Sequence, residues 1–181
     1  MQNESLVIGT IETPVGAYGA VLSERGLCRL TSPSEPLTLC QAWADRWMPG
    51  ARRLPDAGEL AEVSAELADY FAGKRRAFSI PLDLRGTPFQ LQVWAALQAI
   101  PFGELRTYAE IARTIGRPTA VRAVGAAIGA NPIALMVPCH RVIGSNGRLV
   151  GYAGGMDMKR TLLEHEQSGL EHEWARLAPA Q

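Results

Sequence analysis

The sequence predicts an α/β N-terminal domain, a three-stranded antiparallel sheet plus helices, followed by a mostly α C-terminal domain built around a helix-turn-helix. Three observations point there. Short apolar runs broken by turn residues fill positions 6–30, as strands do. Helical spacing of apolar residues takes over from Leu37. Two capping boxes, Thr87-Pro88-Phe89-Gln90 and Thr107-Tyr108-Ala109-Glu110, then open short helices. The 181 residues, 47% hydrophobic with 18 basic and 18 acidic side chains, suffice to bury the core of one or two small domains.

The strands come first. Leu6, Ile8 and Ile11 precede a Thr13-Pro14-Val15-Gly16 turn, Tyr18 to Leu22 form a second run, and Glu24-Arg25-Gly26 leads into a third, Leu27 to Leu30. Leu37 to Trp47 and Gly58 to Phe71 read as helices, the second with Leu60, Val63, Leu67 and Tyr70 on one face and Gly73 as its stop. Cys28 and Cys40 fall in these patterns as small buried hydrophobes, and Trp43 and Trp47 as core. Nothing in this half offers chemistry of its own. Gly73 to Arg85, with an exposed Lys74-Arg75-Arg76 triplet and Pro81, reads as the connection between domains.

Thr87 caps the next helix, with Pro88 at its first position and Leu91, Val93, Trp94 and Leu97 as its apolar face, ending near Ile100-Pro101. Thr107 and Glu110 open another, continued by Ile111 and Ile115 and stopped by Gly116. Thr119 then caps a third, Ala120 to Ala130, in which Arg122 is the one charged side chain. Two short helices joined by a tight turn resemble a helix-turn-helix, and the Ala and Gly of the second permit close approach to a backbone or a phosphate; a packed helical hairpin is the competing interpretation. Asn131-Pro132 closes that helix. Ile133 to Val137 reads as a short buried strand delivering the chain to Pro138-Cys139-His140-Arg141, and Ser145-Asn146-Gly147 forms a turn beyond it.

Charge is uneven along the chain. Residues 1–83 hold 8 basic and 11 acidic side chains, whereas Arg85 to Arg148 hold 7 arginines against Glu104 and Glu110. An arginine-rich stretch suits bidentate contacts to phosphate, although a solvated face also explains such runs. No apolar run approaches the ~20 residues that span a bilayer, and Met1 to Thr10 lacks the basic cluster of a secretory signal. Three cysteines, without metal-ligand spacing, suggest neither a disulfide framework nor a zinc module. A cytoplasmic protein without metal, cofactor or membrane is expected.

Cys139 ends an apolar run at a proline, with His140 and Arg141 beside it, so it can face a cleft. A free thiol near pKa ~8.5 needs activation, and a Cys-His-acid arrangement supplies it. His140 is the candidate base, and Asp157, Glu164 and Glu166 are the candidate acids. Adjacent side chains of an extended chain point apart, so Cys139 and His140 can cooperate only through a turn or a bridging water.

The run Asn131 to Gly144 through Pro138-Cys139-His140-Arg141, then Gly151-Tyr152-Ala153-Gly154-Gly155, Lys159 and Leu162-Leu163-Glu164-His165-Glu166, closely resembles the O6-alkylguanine-DNA alkyltransferases, or methylated-DNA-protein-cysteine methyltransferases. Gly86 to Gln90 with Val93-Trp94, Ile100 to Glu104 with Tyr108, and Arg122-Ala123-Val124-Gly125 resemble the same family in the same order. The resemblance is strong over residues 86–167 and loose before them.

It implies a DNA-repair protein that flips O6-alkylguanine out of double-stranded DNA and transfers the alkyl group irreversibly to Cys139, once per molecule, with O4-alkylthymine left open as a second substrate. The helix-turn-helix would enter the minor groove, with Arg122 filling the space of the flipped base and Thr119, Ala120, Ala123 and Arg141 completing the DNA-binding set. His140 and Glu166 would relay the thiol proton through a water, Asn131 would hold the turn carrying Cys139, and Tyr108 would donate to the base at N3. Tyr108, Met136, Val142, Tyr152 and Ala153 would form the substrate pocket. Ala153 stands where some relatives have a serine, leaving only its backbone N–H for the O6 atom. Ala134, small and five residues before Cys139, hints at room for adducts larger than methyl.

The implied fold is a ribonuclease-H-like N-terminal domain and a winged-helix-like C-terminal domain. We divide the chain as residues 1–83, 84–170 and a tail, 171–181. A monomer is implied, with cooperative loading on DNA open. Neither the structural zinc of some relatives, for which Met1 to Ala20 has no Cys or His, nor the regulatory domain of inducible ones is expected. The alternatives are a non-catalytic alkyl-lesion-binding protein, a Cys-His hydrolase and a transcription regulator. The last would need several polar side chains on Ala120 to Ala130, where only Arg122 stands.

Overall fold

Strands β1 (Ser5–Thr13), β2 (Gly16–Ser23) and β3 (Gly26–Leu30) form the antiparallel meander that the turn residues dictate. These strands belong to a computed structural model that describes residues 4–177, the last eight by their backbone alone. Both faces of the sheet are covered. Leu6, Val21 and Cys28 pack against Cys40 and Trp43, while Val7, Ile11, Tyr18, Ala20, Leu27 and Leu30 join the larger core shared with the C-terminal half.

Gly26 opens β3 with φ +139°, and a Cβ there would press on the backbone of Pro81, 2.6 Å from its carbonyl carbon. Backbone cannot give as a flexible side chain can. Gly26→Ala should therefore cost about 2–3 kcal/mol in urea unfolding. A loss below about half a kcal/mol would show that this junction is not rigid.

The sheet departs from the expected three antiparallel strands. A fourth, β4 (Arg52–Leu54), adds to the far side of β1 in parallel, giving the order β3-β2-β1-β4. The reason is connectivity: α1 (Thr38–Trp47) carries the chain across the sheet, and a strand reached by a crossover runs parallel. Three residues, two of them exposed arginines, present no period to read. Helix α2 (Ala61–Phe71) buries Leu60, Val63, Leu67 and Tyr70 as its spacing requires. Cys28, Cys40 and Trp43 are buried, but Trp47 is only partly so, with the Arg46 guanidinium over its ring. The basic triplet is not simply exposed. Arg75 pairs with Glu66 at 2.9 Å, and Arg76 donates to the Gly169 carbonyl.

In the C-terminal half both capping boxes close as predicted, on α3 (Pro88–Gln98) and, after the short strand β5 (Arg106–Thr107), on α4 (Tyr108–Thr114). Leu91, however, lies outward. Helix α5 (Val121–Gly129) packs on both α3 and α4, and Trp94 Nε1 donates to the Ala127 carbonyl at 2.8 Å to lock α3 to α5. Its N-cap is Ala120, without a side-chain bond, so Thr119 is not the cap.

Ile133 to Val137 is not a strand. Only Ile133 pairs, in a bridge to Leu30; Leu135 then takes φ +70°, and Val137 N–H returns to the Ile133 carbonyl. The run is apolar because it threads between the two halves, where burial alone sets composition. Beyond it, β6 (Val142–Ile143) pairs in parallel with β5, and α6 (Met156–Leu177) crosses back over the turn at Cys139–Arg141. That helix runs into the segment 171–181 expected as a tail, of which 178–181 lie outside the described residues. Among the described residues no helix is long and apolar enough to cross a membrane.

Candidate active site

Pro138 ends the buried run, and Cys139 to Arg141 close a single 3-10 turn. This supplies the turn that cooperation between Cys139 and His140 requires, and it sends the consecutive side chains in different directions. Cys139 is 8% exposed and lines a cavity of about 340 Å³, while His140 and Arg141 turn inward.

Asn131 fixes the turn. Its Oδ1 accepts from Ile133 N–H at 3.0 Å and its Nδ2 donates to the Val137 carbonyl at 2.8 Å, which settles the amide orientation because neither backbone partner can exchange roles. Nδ2 then lies 3.2 Å from Cys139 Sγ as a donor.

Behind the turn stands Glu166, wholly buried on α6. Its Oε1 accepts from His140 Nε2 at 2.8 Å, Tyr70 Oη at 2.9 Å and Arg141 Nη2 at 2.8 Å, and its Oε2 from Gly103 N–H at 2.9 Å and Arg141 Nε at 3.0 Å. Burial pushes this carboxyl up, but the hydrogen bonds and charges of His140 and Arg141 prevail and hold it at about 2. An ionised carboxylate can only accept, so His140 carries its proton on Nε2. Burial holds the imidazole below its ordinary value, against the pull of Glu166. Neutral His140 therefore keeps its lone pair on Nδ1, which has no hydrogen-bond partner among the described residues.

Burial also pushes the Cys139 thiol up, and the Asn131 donor and the Lys159 charge pull it back. Lys159 is fully buried, and its ammonium donates to the carbonyls of Val142 and Val150. That ties the strand after Cys139 to the loop that returns over it. Tyr108 Oη donates to the same Val150 carbonyl at 3.1 Å, and burial, with the Cys139 charge, pushes its phenol up, so it remains a proton donor.

The cavity brings together Tyr108, Asn131, Ala134, Cys139, Tyr152 and Ala153, with Gly125 of α5 leaving room beside the Tyr108 ring. Three expectations fail. Met136 faces a separate cavity on the other side of the turn with Arg141 and Phe102, because the left-handed Leu135 redirects the chain. Val142 is wholly buried, its carbonyl taken by Lys159, and is core rather than pocket. Arg141 does not belong to a DNA-facing set: its guanidinium is spent on Glu166 and the Ile100 carbonyl. Thr119, Arg122 and Ala123 are exposed around the start of α5, and Ala120 is half-buried. Of the candidate acids, Asp157 and Glu164 are exposed.

Sequence reasoning missed the N-terminal contribution. Arg29, Ser32 and Glu35 form one wall of the cavity, and Ser34 Oγ donates to the Gly154 carbonyl at 3.1 Å. Gly154 lies so close to Ser32 that a Cβ would meet the Ser32 Cβ at 2.6 Å. No local pattern reports such contacts. Lys159 and Glu166 did leave a signal: with Leu162 they share one helical face, i, i+3 and i+7.

The comparisons with known proteins agree in both halves. A family model described as the ribonuclease-like domain of 6-O-methylguanine DNA methyltransferase matches residues 6–84, and one described as the DNA binding domain matches residues 88–168. The inducible methylated-DNA-protein-cysteine methyltransferase of Bacillus subtilis is 47% identical over 79% of this chain and 80% of its own length. The corresponding protein of Mycobacterium bovis is 47% identical over 88% of this chain and 91% of its own. The crystal structure of Mycobacterium tuberculosis OGT in complex with DNA superposes with a TM-score of 0.78 at 44% identity, covering 90% of this chain and 94% of that one.

Proposed function

The chain belongs to the 6-O-methylguanine DNA methyltransferase family, and from that premise we propose that it repairs DNA by moving an alkyl group from O6-alkylguanine to its own Cys139. The observation that carries the site assignment is the Cys139 thiol on the floor of a cavity, one residue from a neutral His140 braced by Glu166.

The groups divide the chemistry. His140 Nδ1 takes the Cys139 proton through a bridging water, and Glu166 stabilises the imidazolium that results. The thiolate, held by Asn131 Nδ2 and the Lys159 charge, attacks the alkyl carbon in line. The S–C bond forms, the C–O6 bond breaks, and its electron pair stays on the guanine. Tyr108 gives the base a proton at N3, so the leaving group departs neutral. The thioether has no leaving path, and each molecule reacts once.

The base can enter only if it leaves the stack. The exposed start of α5, with Arg122, Thr119, Ala120 and Ala123, is the surface we assign to the minor groove, Arg122 occupying the space the base vacates. Ala134 in the cavity wall supports room for adducts larger than methyl. Residues 1–83 and 84–170 serve as the two working units, and the unit that binds DNA is a monomer of winged-helix type.

The test is intact mass after incubation with an oligonucleotide duplex bearing one O6-methylguanine, beside Cys139→Ser. The expected result is one added methylene on the Cys139 peptide of the wild type alone. Retention of the lesion with tight binding and no mass gain would make the chain a damage-recognition protein instead.

A further inference from the structure

The relay behind Cys139 is not built from the C-terminal half alone. Tyr70 lies on α2, 96 residues before Glu166 in the chain, and its hydroxyl donates to the same carboxylate oxygen that receives His140 Nε2–H. We propose that Tyr70 is a positioning residue for alkyl transfer: by sharing Glu166 Oε1 with His140 it sets the basicity of His140 Nδ1, and so the pH at which Cys139 is activated. The proposal rests on the functional reading above, in which His140 is the base.

Packing alone does not account for the hydroxyl. The ring is wholly buried against Phe71, Phe78, Phe102 and His165, with centroids 5.0 to 6.1 Å away, and phenylalanine would fill that space equally well. A buried phenol needs a partner, and this one has a carboxylate that can only accept. Its backbone is tied to the same helix, the Tyr70 carbonyl accepting from His165 Nε2 at 2.8 Å. Burial and the Glu166 charge push the phenol far above its ordinary value, so it stays a donor throughout the working range.

The direction of the effect follows from the shared oxygen. Each donor on Oε1 draws on the same electron density, so removing the Tyr70 hydroxyl strengthens the bond from His140 Nε2–H and makes Nδ1 more basic. The other groups facing the pair are Arg141 and Gly103 N–H on Glu166, Lys159 acting on His140, and Tyr18 and His165 near Tyr70. None of them changes in the substitution.

The experiment is the single-turnover rate of methyl transfer against pH for wild type, Tyr70→Phe and a protein with 3-fluorotyrosine at position 70. Tyr70→Phe should move the acid limb up by about half to one pH unit, with the plateau changed less than threefold. Fluorotyrosine, a stronger donor, should move it down. A purely structural Tyr70 predicts lower stability with an unmoved limb, and that outcome, or shifts of the opposite sign, overturns the proposal. If Tyr70→Phe does not fold, the fluorotyrosine protein decides alone. Failure of the functional reading looks different: the wild type then has no acid limb, or His140→Ala transfers as fast as wild type.

Discussion

Glu166→Gln is expected to cost about 3–5 kcal/mol of stability and to slow methyl transfer by on the order of a hundredfold. The glutamine is isosteric, so the losses are electrostatic. Arg141, buried with its guanidinium on Glu166, would remain charged without a counterion, and a buried charge stripped of its partner is among the largest single defects a core can suffer. His140 would lose the anion that stabilises its protonated form just when the reaction needs that form.

The stability difference should also depend on pH with a definite sign. The carboxyl sits at about 2 in the fold against an ordinary 4.5, so its contribution is complete above the unfolded value and disappears as pH falls from about 4.5 to about 2. Urea unfolding of wild type and Glu166→Gln should differ by about 3 kcal/mol or more at pH 7 and converge near pH 2. A gap that persists unchanged into acid would show that the glutamine disrupts packing rather than charge.

The second large effect is expected at Lys159. Lys159→Met keeps the stem and removes the ammonium, leaving the Val142 and Val150 carbonyls without their donor and Cys139 without its cation. Transfer should slow by about 10- to 100-fold, the range seen when supporting groups around a reactive centre are removed. The thiol should move further up, so the rate should recover partly with rising pH. Stability should fall by only about 1–3 kcal/mol, because losing the buried charge offsets part of the lost hydrogen bonding. Burst measurements from pH 6 to 9 with a saturating lesion duplex would decide it, and a rate ratio independent of pH would confine Lys159 to holding the loop.

What the sequence disclosed was what is decided locally. Thr87 with Gln90 and Thr107 with Glu110 cap helices through atoms three residues apart, and both boxes form. Gly16 and Gly26 mark strand entries for the same reason, their backbone being left-handed. The family resemblance named His140, Glu166 and Asn131, and geometry brings them to Cys139. Long-range partners left no local trace: Tyr70 reads as the apolar face of a helix, and Arg29 and Glu35 carry no signal until the two halves are docked. Arg141 shows the converse error, since arginine in a basic stretch suggests a phosphate, and nothing nearby says that its guanidinium is consumed by a carboxylate 25 residues later. Ile133 to Val137 misled because burial without pairing has the same composition as a buried strand.

Lys159 and Glu166 stand seven residues apart on one helix, a rise of about 10.5 Å, with the Cys139–Arg141 turn lying across the span. A rigid rod therefore holds a positive and a negative charge at a constant separation on either side of Cys139 and His140. Any axial slip of that rod moves both ends of the field together, weakening the hold on the thiolate while shifting the acceptor of the imidazole.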